Sequence, residues 1–185
     1  MLHENTLDAR RAALVCIDMQ ESFRQAIPDF AETAARVSVA VRAAGLLGVP
    51  VVVTEQYPKG LGRTAGEIRA ALAPGVEPVE KTAFSSCGAE KFLARLEEAG
   101  ARQVVVCGIE AHICVNQTAH DLLARGFQVH LLADCITSRT AENRRLGLDK
   151  MQRAGALPSS LELALFELLR DARHEQFKAI QGLIK

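Results

Sequence analysis

Short apolar runs alternate with segments of helical periodicity along the whole chain. The first run, Ala12–Ile17 (AALVCI), is too short for a helix and has the apolar character of a buried strand. The spacing of apolar residues is helical from Phe30 to Leu47, and Gly48-Val49-Pro50 ends that segment. The β-branched run Val51–Thr54 then predicts a second strand. The chain therefore opens as strand, helix, strand.

The same alternation continues to the end of the chain. Further strands are predicted at four runs: Glu77–Lys81, Gln103–Cys107, Phe127–Ala133 and Ala156–Leu157. Further helices are predicted at Thr64–Leu72 (with Thr64 as cap and Glu67 as its capping-box partner), at Gly88–Ala99, from the turn Gly108–Cys114 to Arg125, at Ala141–Ala154, from Ser159 or Ser160 to Leu169, and at Glu175–Ile184. A loop rich in Pro and Gly is predicted over residues 55–62.

This order of elements predicts the fold class. Strand–helix alternation over a whole chain favours right-handed crossovers and a parallel sheet covered by helices. We expect an α/β, three-layer, Rossmann-like fold with about six parallel strands and helices on both faces. The sequence has no internal repeat, low-complexity segment or linker, so residues 1–185 are expected to form a single domain.

Composition excludes several classes of partner. Lys plus Arg and Asp plus Glu both number 22, so the formal net charge is zero, which argues against nucleic acid or an anionic membrane surface. Aromatic residues make up 4% and Trp is absent, which argues against platforms for base stacking. No apolar run approaches the ~20 residues that cross a bilayer. We expect a small-molecule substrate, with neither nucleic acid nor a membrane as partner.

The five cysteines indicate a reducing compartment. They are odd in number and contain no CxxC pair, so neither a disulfide framework nor a zinc cluster is predicted. Several lie inside apolar runs, where a reduced thiol behaves as a small apolar side chain. Residues 1–13 lack the hydrophobic region of a signal peptide. These features predict a cytoplasmic protein.

Three chemically complementary residues follow three of the predicted strands. Asp18 ends the first strand, Lys81 ends the third, and Cys114 enters the helix that follows the fourth. Ligands bind beyond the carboxyl ends of parallel strands, so these side chains are expected at one sheet edge. Each also has a structural explanation, as a turn aspartate, a surface lysine and a buried cysteine.

Position distinguishes Cys114 from the other cysteines. A thiol at a helix N-terminus is expected to have a lowered pKa, because the helix dipole favours the thiolate. Free backbone N–H groups in the same turn can stabilise an oxyanion. A nearby carboxylate can accept the thiol proton, and an ammonium can stabilise the thiolate.

The sequence resembles the isochorismatase-like cysteine hydrolases, and within them most closely the branch of isochorismatase domain-containing proteins. The resemblance covers essentially the whole chain, and its most specific parts are TEQYPKGLG, GIEAHICV and the FK-x-I-x-x-LIK tail. The blocks that carry it are ALVCIDMQ (13–20), VVVTEQYPKGLG (51–62), VEKTAFSSC (79–87), residues 104–134 and FKAIQGLIK (177–185).

The resemblance implies a catalytic triad of Asp18, Lys81 and Cys114. In that family the cysteine attacks a carbonyl carbon to give a covalent thioester, the aspartate moves the protons, and the lysine holds the charges in place. The resemblance also implies a cis peptide bond between Ile109 and Glu110. It places the oxyanion hole at the backbone N–H groups of Glu110 and Cys114.

Two departures from family patterns refine the expected chemistry. Metal-binding nicotinamidases of this family carry histidines after the second strand, whereas residues 54–58 are Thr-Glu-Gln-Tyr-Pro, and the five histidines lack zinc-ligand spacing. We therefore predict no metal and no other cofactor. Isochorismatase proper cleaves a vinyl ether and lacks the nucleophilic cysteine, so Cys114 indicates acyl chemistry. The prediction is a hydrolase of carbon–nitrogen bonds other than peptide bonds, acting on a small amide or related acyl compound.

Other candidates follow the strand ends or flank the nucleophile. The predicted substrate-pocket residues are Phe23, Gln56, Tyr57, Phe84 and His112. The resemblance implies a homo-oligomer, dimer or tetramer, and the apolar segment SLELALFELL offers a surface for it. Two alternatives to an enzyme remain open: an interaction or scaffold protein on a hydrolase fold, and a redox-sensing thiol at Cys114.

Overall fold

Six parallel strands form the centre of the computed structural model, which describes residues 3–185. The strands are β1 (Ala12–Ile17), β2 (Val51–Gln56), β3 (Val79–Lys81), β4 (Gln103–Gly108), β5 (Gln128–Ile136) and β6 (Leu157–Ser159). Their order across the sheet is β3-β2-β1-β4-β5-β6, and every neighbouring pair is parallel. The predicted α/β fold with a six-stranded parallel sheet is confirmed.

In the described part of the chain, eight α-helices connect and cover the strands. They are α1 (Phe30–Leu46), α2 (Pro58–Leu61), α3 (Gly66–Arg69), α4 (Glu90–Glu98), α5 (Asn116–Ala124), α6 (Ala141–Arg153), α7 (Leu161–Leu169) and α8 (Phe177–Leu183). Short 3₁₀ turns occupy Glu21–Phe23 and Ser86–Gly88, and a π-helical turn occupies Ala111–Val115. Within residues 3–185, no helix has the length and apolar character that crossing a membrane requires.

The sheet separates two apolar cores, which explains why its central strands are apolar on both faces. Along β1, Leu14 and Cys16 pack into the core beneath α1 and α7, while Ala13, Val15 and Ile17 pack into the opposite core. Side chains of a strand alternate between faces, so a strand covered on both sides must be apolar at every position. This burial of both faces explains why the run AALVCI is apolar throughout.

Several differences from the predicted elements lie around β2 and its connection to β3, and β5 also continues three residues beyond its prediction, to Ile136. β2 continues to Gln56, two residues beyond the prediction, and residues predicted as loop form the one-turn helix α2. Thr64 does not cap α3: its N–H and hydroxyl donate to Glu55 Oε1 at 2.7 and 2.8 Å. Because Glu55 is buried at the end of β2, its carboxylate needs these donors, and α3 starts only at Gly66. The predicted capping box is therefore wrong.

Strand β4 lies very close to β1 at its carboxyl end. Gly108 has φ +121°, and a Cβ atom there would lie 2.1 Å from the carbonyl oxygen of Ile17. Only glycine fits such a position, so Gly108 lets the backbone leave β4 directly beside the end of β1. The residues that follow β1 and β4 are thereby brought to one edge of the sheet.

Candidate active site

Asp18 and Lys81 form a buried ion pair at the carboxyl edge of the sheet. The distance from Lys81 Nζ to Asp18 Oδ2 is 2.7 Å, and both side chains are almost fully shielded from solvent. Asp18 follows β1 directly, whereas Lys81 is the last residue of β3, two strands away. The parallel sheet therefore joins groups that are 63 residues apart in sequence.

The Asp18 carboxylate is held in place from two sides. Its second oxygen, Oδ1, accepts a hydrogen bond from Thr54 Oγ1 at 2.7 Å, and its backbone N–H donates to the Thr54 carbonyl at 3.1 Å. Its backbone lies in the left-handed region at φ +52°, which is uncommon for a residue other than glycine. Such strain concentrates at functional sites, where the surrounding contacts maintain it.

The Lys81 ammonium has its donors committed within the protein. Besides Asp18, it lies 2.7 Å from Gln56 Oε1 and 3.2 and 3.0 Å from the carbonyl oxygens of Ala83 and Phe84. An ammonium has three N–H donors, so these four acceptors already exceed its capacity. Lys81 is thereby fixed as a positive charge beside Asp18.

Cys114 lies in the π-helical turn that precedes α5, and the Asp18–Lys81 pair faces its thiol. Helix α6 packs on this turn so closely that a Cβ atom at Gly147 would lie 2.6 Å from the Ala111 carbonyl oxygen. Burial raises the pKa of the Cys114 thiol to about 12, and the negative charge of Asp18 adds to the increase. Lys81 acts in the opposite direction but does not offset these effects. Burial and Asp18 therefore oppose the lowered pKa that the helix N-terminus predicts, and they favour the neutral thiol.

Glu110 shapes the turn with its side chain and leaves its N–H free. Its carboxylate accepts hydrogen bonds from the N–H and Nε of Arg139, at 3.0 and 3.1 Å. Its carbonyl accepts the N–H groups of Ile113 and Val115. In the part of the chain from residue 3 to 185, the Glu110 N–H has no hydrogen-bond acceptor. The peptide bond between Ile109 and Glu110 is cis.

A cavity of about 110 Å³ opens beside Cys114. Its lining residues are Asp18, Phe23, Gln56, Leu61, Phe84, Ile109, Glu110, Ile113 and Cys114. The structure thus brings together the three residues of the predicted triad and three of the five predicted pocket residues, Phe23, Gln56 and Phe84.

The other two predicted pocket residues lie elsewhere. Tyr57 is half-exposed and lines a neighbouring groove with Pro58 and Lys59, because Gln56 turns towards the cavity and its neighbour turns away. His112 Nδ1 lies 3.1 Å from Ser138 Oγ, and His112 is not among the residues that line the cavity. Neither residue contributes to the wall of this cavity.

Sequence reasoning did not assign Thr54, Leu61 or Ile113 to the site, and it named Ile109 for its cis peptide bond and not as part of the cavity wall. Thr54 lies near the carboxyl end of β2, at the same sheet edge as Asp18. Its position in the strand could therefore have indicated that it belongs to the site. The three aliphatic residues carry no comparable signal, since apolar residues in loops and turns are common in any sequence. Among residues 3–185, no group of three His, Cys, Asp or Glu side chains is arranged to hold a metal ion.

Comparison with known proteins identifies the family. The pattern of the isochorismatase domain matches residues 12–162. The chain belongs to the isochorismatase family. Relatives of this isochorismatase-family chain include Isochorismatase domain-containing protein 1 of Salmo salar, 45% identical over 92% of this chain and 59% of that protein. Isochorismatase domain-containing protein 2 of Danio rerio is 38% identical over 96% of this chain and 89% of that protein.

A solved structure shows the same fold in an isochorismatase-family relative. The MAR1 ribonuclease of Caenorhabditis elegans superposes with a TM-score of 0.93 at 36% identity, over 97% of this chain and 92% of that one. The chain spans 59% and 62% of the length of its matched protein 1 relatives from Salmo salar and Danio rerio. The predicted membership of the isochorismatase family is confirmed.

Proposed function

We propose that this isochorismatase-family hydrolase cleaves the carbon–nitrogen bond of a small amide, or a related acyl bond, without a metal. The observation that carries the proposal is the Asp18–Lys81 ion pair, which faces the Cys114 thiol at the wall of a small cavity. Nucleophile, proton acceptor and fixed positive charge are the parts that covalent acyl transfer requires.

The raised pKa of Cys114 favours general-base catalysis over a preformed thiolate. As Sγ bonds to the substrate carbonyl carbon, the Asp18 carboxylate accepts the thiol proton, and the backbone N–H groups of Glu110 and Cys114 stabilise the developing oxyanion. A thiolate generated only during attack is also a stronger nucleophile than one of low pKa. The positive charge of Lys81 lies where it stabilises the thiolate as it forms.

The second half of the cycle reuses the same groups. The tetrahedral intermediate collapses, its carbon–nitrogen bond breaks, and the amine leaves with the proton that Asp18 holds. Asp18 then accepts a proton from a water molecule, whose oxygen attacks the thioester carbon. The carboxylic acid is released, and the proton returns to the Cys114 sulfur. Atoms and charges balance with water as the only co-reactant.

The name of the Caenorhabditis elegans relative, a ribonuclease, does not transfer to this chain. A cavity of about 110 Å³ is too small for a nucleotide, and a net charge of zero gives no attraction to a polyanion. These features support a small substrate. An interaction or scaffold role, or redox sensing at Cys114, remains the alternative from another class.

We also propose a homo-oligomer for this chain. A fold neighbour, the YcaC gene product of Escherichia coli, is described as an octameric hydrolase, and it shares 22% identity with this chain at a TM-score of 0.90. That likeness supports the fold alone. The apolar surface of α7 supports the proposal independently, through the half-exposed Leu163 and Phe166.

The test is turnover of a panel of small amides by four forms of the protein: wild type, Cys114→Ala, Asp18→Asn and the matched control Cys87→Ala. Cys87 is a buried cysteine outside the cavity, so its replacement should retain activity. We expect Cys114→Ala to abolish turnover and Asp18→Asn to lower kcat by ~10²–10⁴-fold, the usual contribution of a general base. Turnover that survives Cys114→Ala would refute the nucleophile assignment, and a wild type inactive on every amide would favour the scaffold or redox alternative.

A further inference from the structure

The cavity beside Cys114 is apolar except at the reacting groups. Five of its side chains are hydrocarbon and come from four separate segments of the chain: Phe23, Leu61, Phe84, Ile109 and Ile113. The polar residues that remain are Asp18, Gln56, Glu110 and Cys114 itself. A substrate that presents its carbonyl carbon to Cys114 therefore places the rest of its acyl group against hydrocarbon.

No free cation faces this space among residues 3–185. The wall contains no Lys, Arg or His side chain. The nearby Lys81 ammonium donates its hydrogen bonds to Asp18, Gln56 and two backbone carbonyl oxygens. The charged carboxyl groups at the wall, Asp18 and Glu110, are of the same sign as a substrate carboxylate. An anionic acyl group would lose its hydration here and gain no compensating partner.

The polar side chains Gln56 and Glu110 in the cavity wall already have hydrogen-bond partners within the protein. Gln56 Oε1 accepts from Lys81, and its Nε2 donates to the Thr82 carbonyl at 2.7 Å. The Glu110 carboxylate is bonded to Arg139. A hydroxyl or amine on the acyl chain would thus enter a site with few unpaired polar atoms, and a buried polar group without a partner is strongly disfavoured.

Size sets a further limit. The volume of the cavity is about 110 Å³. It is well below the ~300–1,000 Å³ of pockets that enclose drug-sized ligands. The cavity therefore suits a short acyl group, and Phe84, which is 54% exposed, marks the side of the cavity that faces solvent.

We propose that the substrate class is a short, uncharged aliphatic acyl compound, and that the five hydrocarbon side chains select against anionic acyl groups. This inference rests on the proposed hydrolysis at Cys114. It adds which acyl groups the site accepts, and it identifies Leu61 as a position where an introduced cation should weaken the selection. Leu61 is partly exposed on α2, so a polar replacement there does not bury a charge in the core.

The first experiment compares amides of increasing acyl length with an anionic counterpart. Release of ammonia is measured for acetamide, propionamide, butyramide, hexanamide and succinamate. We expect kcat/KM to peak at three or four carbons and to be at least ~100-fold higher for butyramide than for succinamate, because the carboxylate is desolvated without a partner. Comparable kcat/KM values for those two amides would overturn the proposal while leaving hydrolysis itself established.

The second experiment does not depend on turnover. Alkylation of Cys114 by iodoacetamide and by iodoacetate is followed by peptide mass spectrometry at about pH 9, and the rate ratio is divided by the same ratio for glutathione. We expect the neutral reagent to be favoured at least ~10-fold beyond glutathione, since the anion loses its hydration against the hydrocarbon wall and meets no free cation there among the described residues. A ratio equal to that of glutathione would overturn the proposal.

A matched pair of variants assigns the selection to the cavity wall. Leu61→Arg supplies a cation at the wall and should lower the preference for iodoacetamide at least ~3-fold. Leu61→Gln, of similar length and polarity but uncharged, should leave the preference close to that of wild type. An unchanged preference in Leu61→Arg would contradict the electrostatic argument. Charge selection without any amide turnover would instead refute the proposed hydrolysis and keep the inferred binding preference.

Discussion

At the scale of single residues, the environment of a group decides its chemistry more than its place in a motif. Cys114 stands where a helix begins, and that position alone predicts a stabilised thiolate. Burial and the Asp18 carboxylate reverse this and raise the pKa of the thiol to about 12. In the proposed mechanism, Cys114 would therefore start as a thiol, and Asp18 would accept its proton during attack.

This raised pKa predicts a specific titration. A raised thiol pKa favours the neutral form, so less than about 1% of Cys114 is thiolate below about pH 10. The ultraviolet absorbance of thiolate, measured as the difference between wild type and Cys114→Ser, should therefore stay flat from about pH 6 to 9. A thiolate signal that develops near neutral pH would contradict the dominance of burial and restore the helix-terminus interpretation.

At the scale of elements, the conformation of the π-helical turn that contains Cys114 depends on the packing of α6. Gly147 brings α6 against the backbone of Ala111 and His112, with no room for a side chain. Because the Ala111 N–H also donates to the Thr137 carbonyl at 2.9 Å, the turn is fixed from two sides. An element far along the chain thus positions Cys114 without contributing a reacting group.

The variant Gly147→Ala tests this packing. Its Cβ atom would lie 2.6 Å from the Ala111 carbonyl oxygen, so α6 or the turn must shift. We expect a loss of about 1–3 kcal/mol in the free energy of unfolding, as for other overpacked sites, and a lower rate of Cys114 alkylation or amide turnover. Urea unfolding measures the first quantity.

A matched glycine serves as the control for that variant. Gly45 lies near the end of α1, and a Cβ atom there meets nothing within 4 Å. Gly45→Ala should stabilise the protein by about 0.5–1 kcal/mol, because alanine is the better helix former. Equal effects of the two substitutions would show that the close approach of α6 to the turn is unimportant.

At the scale of the whole molecule, one face of α7 is apolar and uncovered. Leu163 and Phe166 are 46% and 41% exposed, and the Phe166 ring stacks edge-on against Phe177 of α8 with ring centroids 6.3 Å apart. The net charge of zero gives little repulsion between copies. These features favour association through the C-terminal helices.

The oligomer is tested by the mass of the protein in solution. We expect light scattering after size exclusion to give a multiple of the chain mass for wild type, and a smaller mass for Leu163→Glu, which places a carboxylate on the apolar face. Leu146→Glu, at a residue of equal 46% exposure on α6, is the matched control and should keep the wild-type mass. A monomeric wild type would contradict the proposal.

The amino-acid sequence by itself determined the fold and the residues at the strand ends. The runs AALVCI and QVVVC are apolar throughout, and only strands buried on both faces need that composition, so a parallel sheet followed. Asp18, Lys81 and Cys114 could be placed at one edge because parallel strands end together. The boundaries of β2 and α3 were missed because the buried Glu55 takes the hydroxyl of Thr64, a contact that local patterns do not record.

Only the tertiary structure decided the electrostatics of the site and the shape of its cavity. The pKa of Cys114 depends on how much water reaches the thiol, and the cavity wall depends on which way Tyr57, Leu61 and Ile113 turn. Both quantities arise from contacts between segments that are distant along the chain. Sequence periodicity reports which face of an element is buried, but not what that face meets, so these properties require the folded molecule.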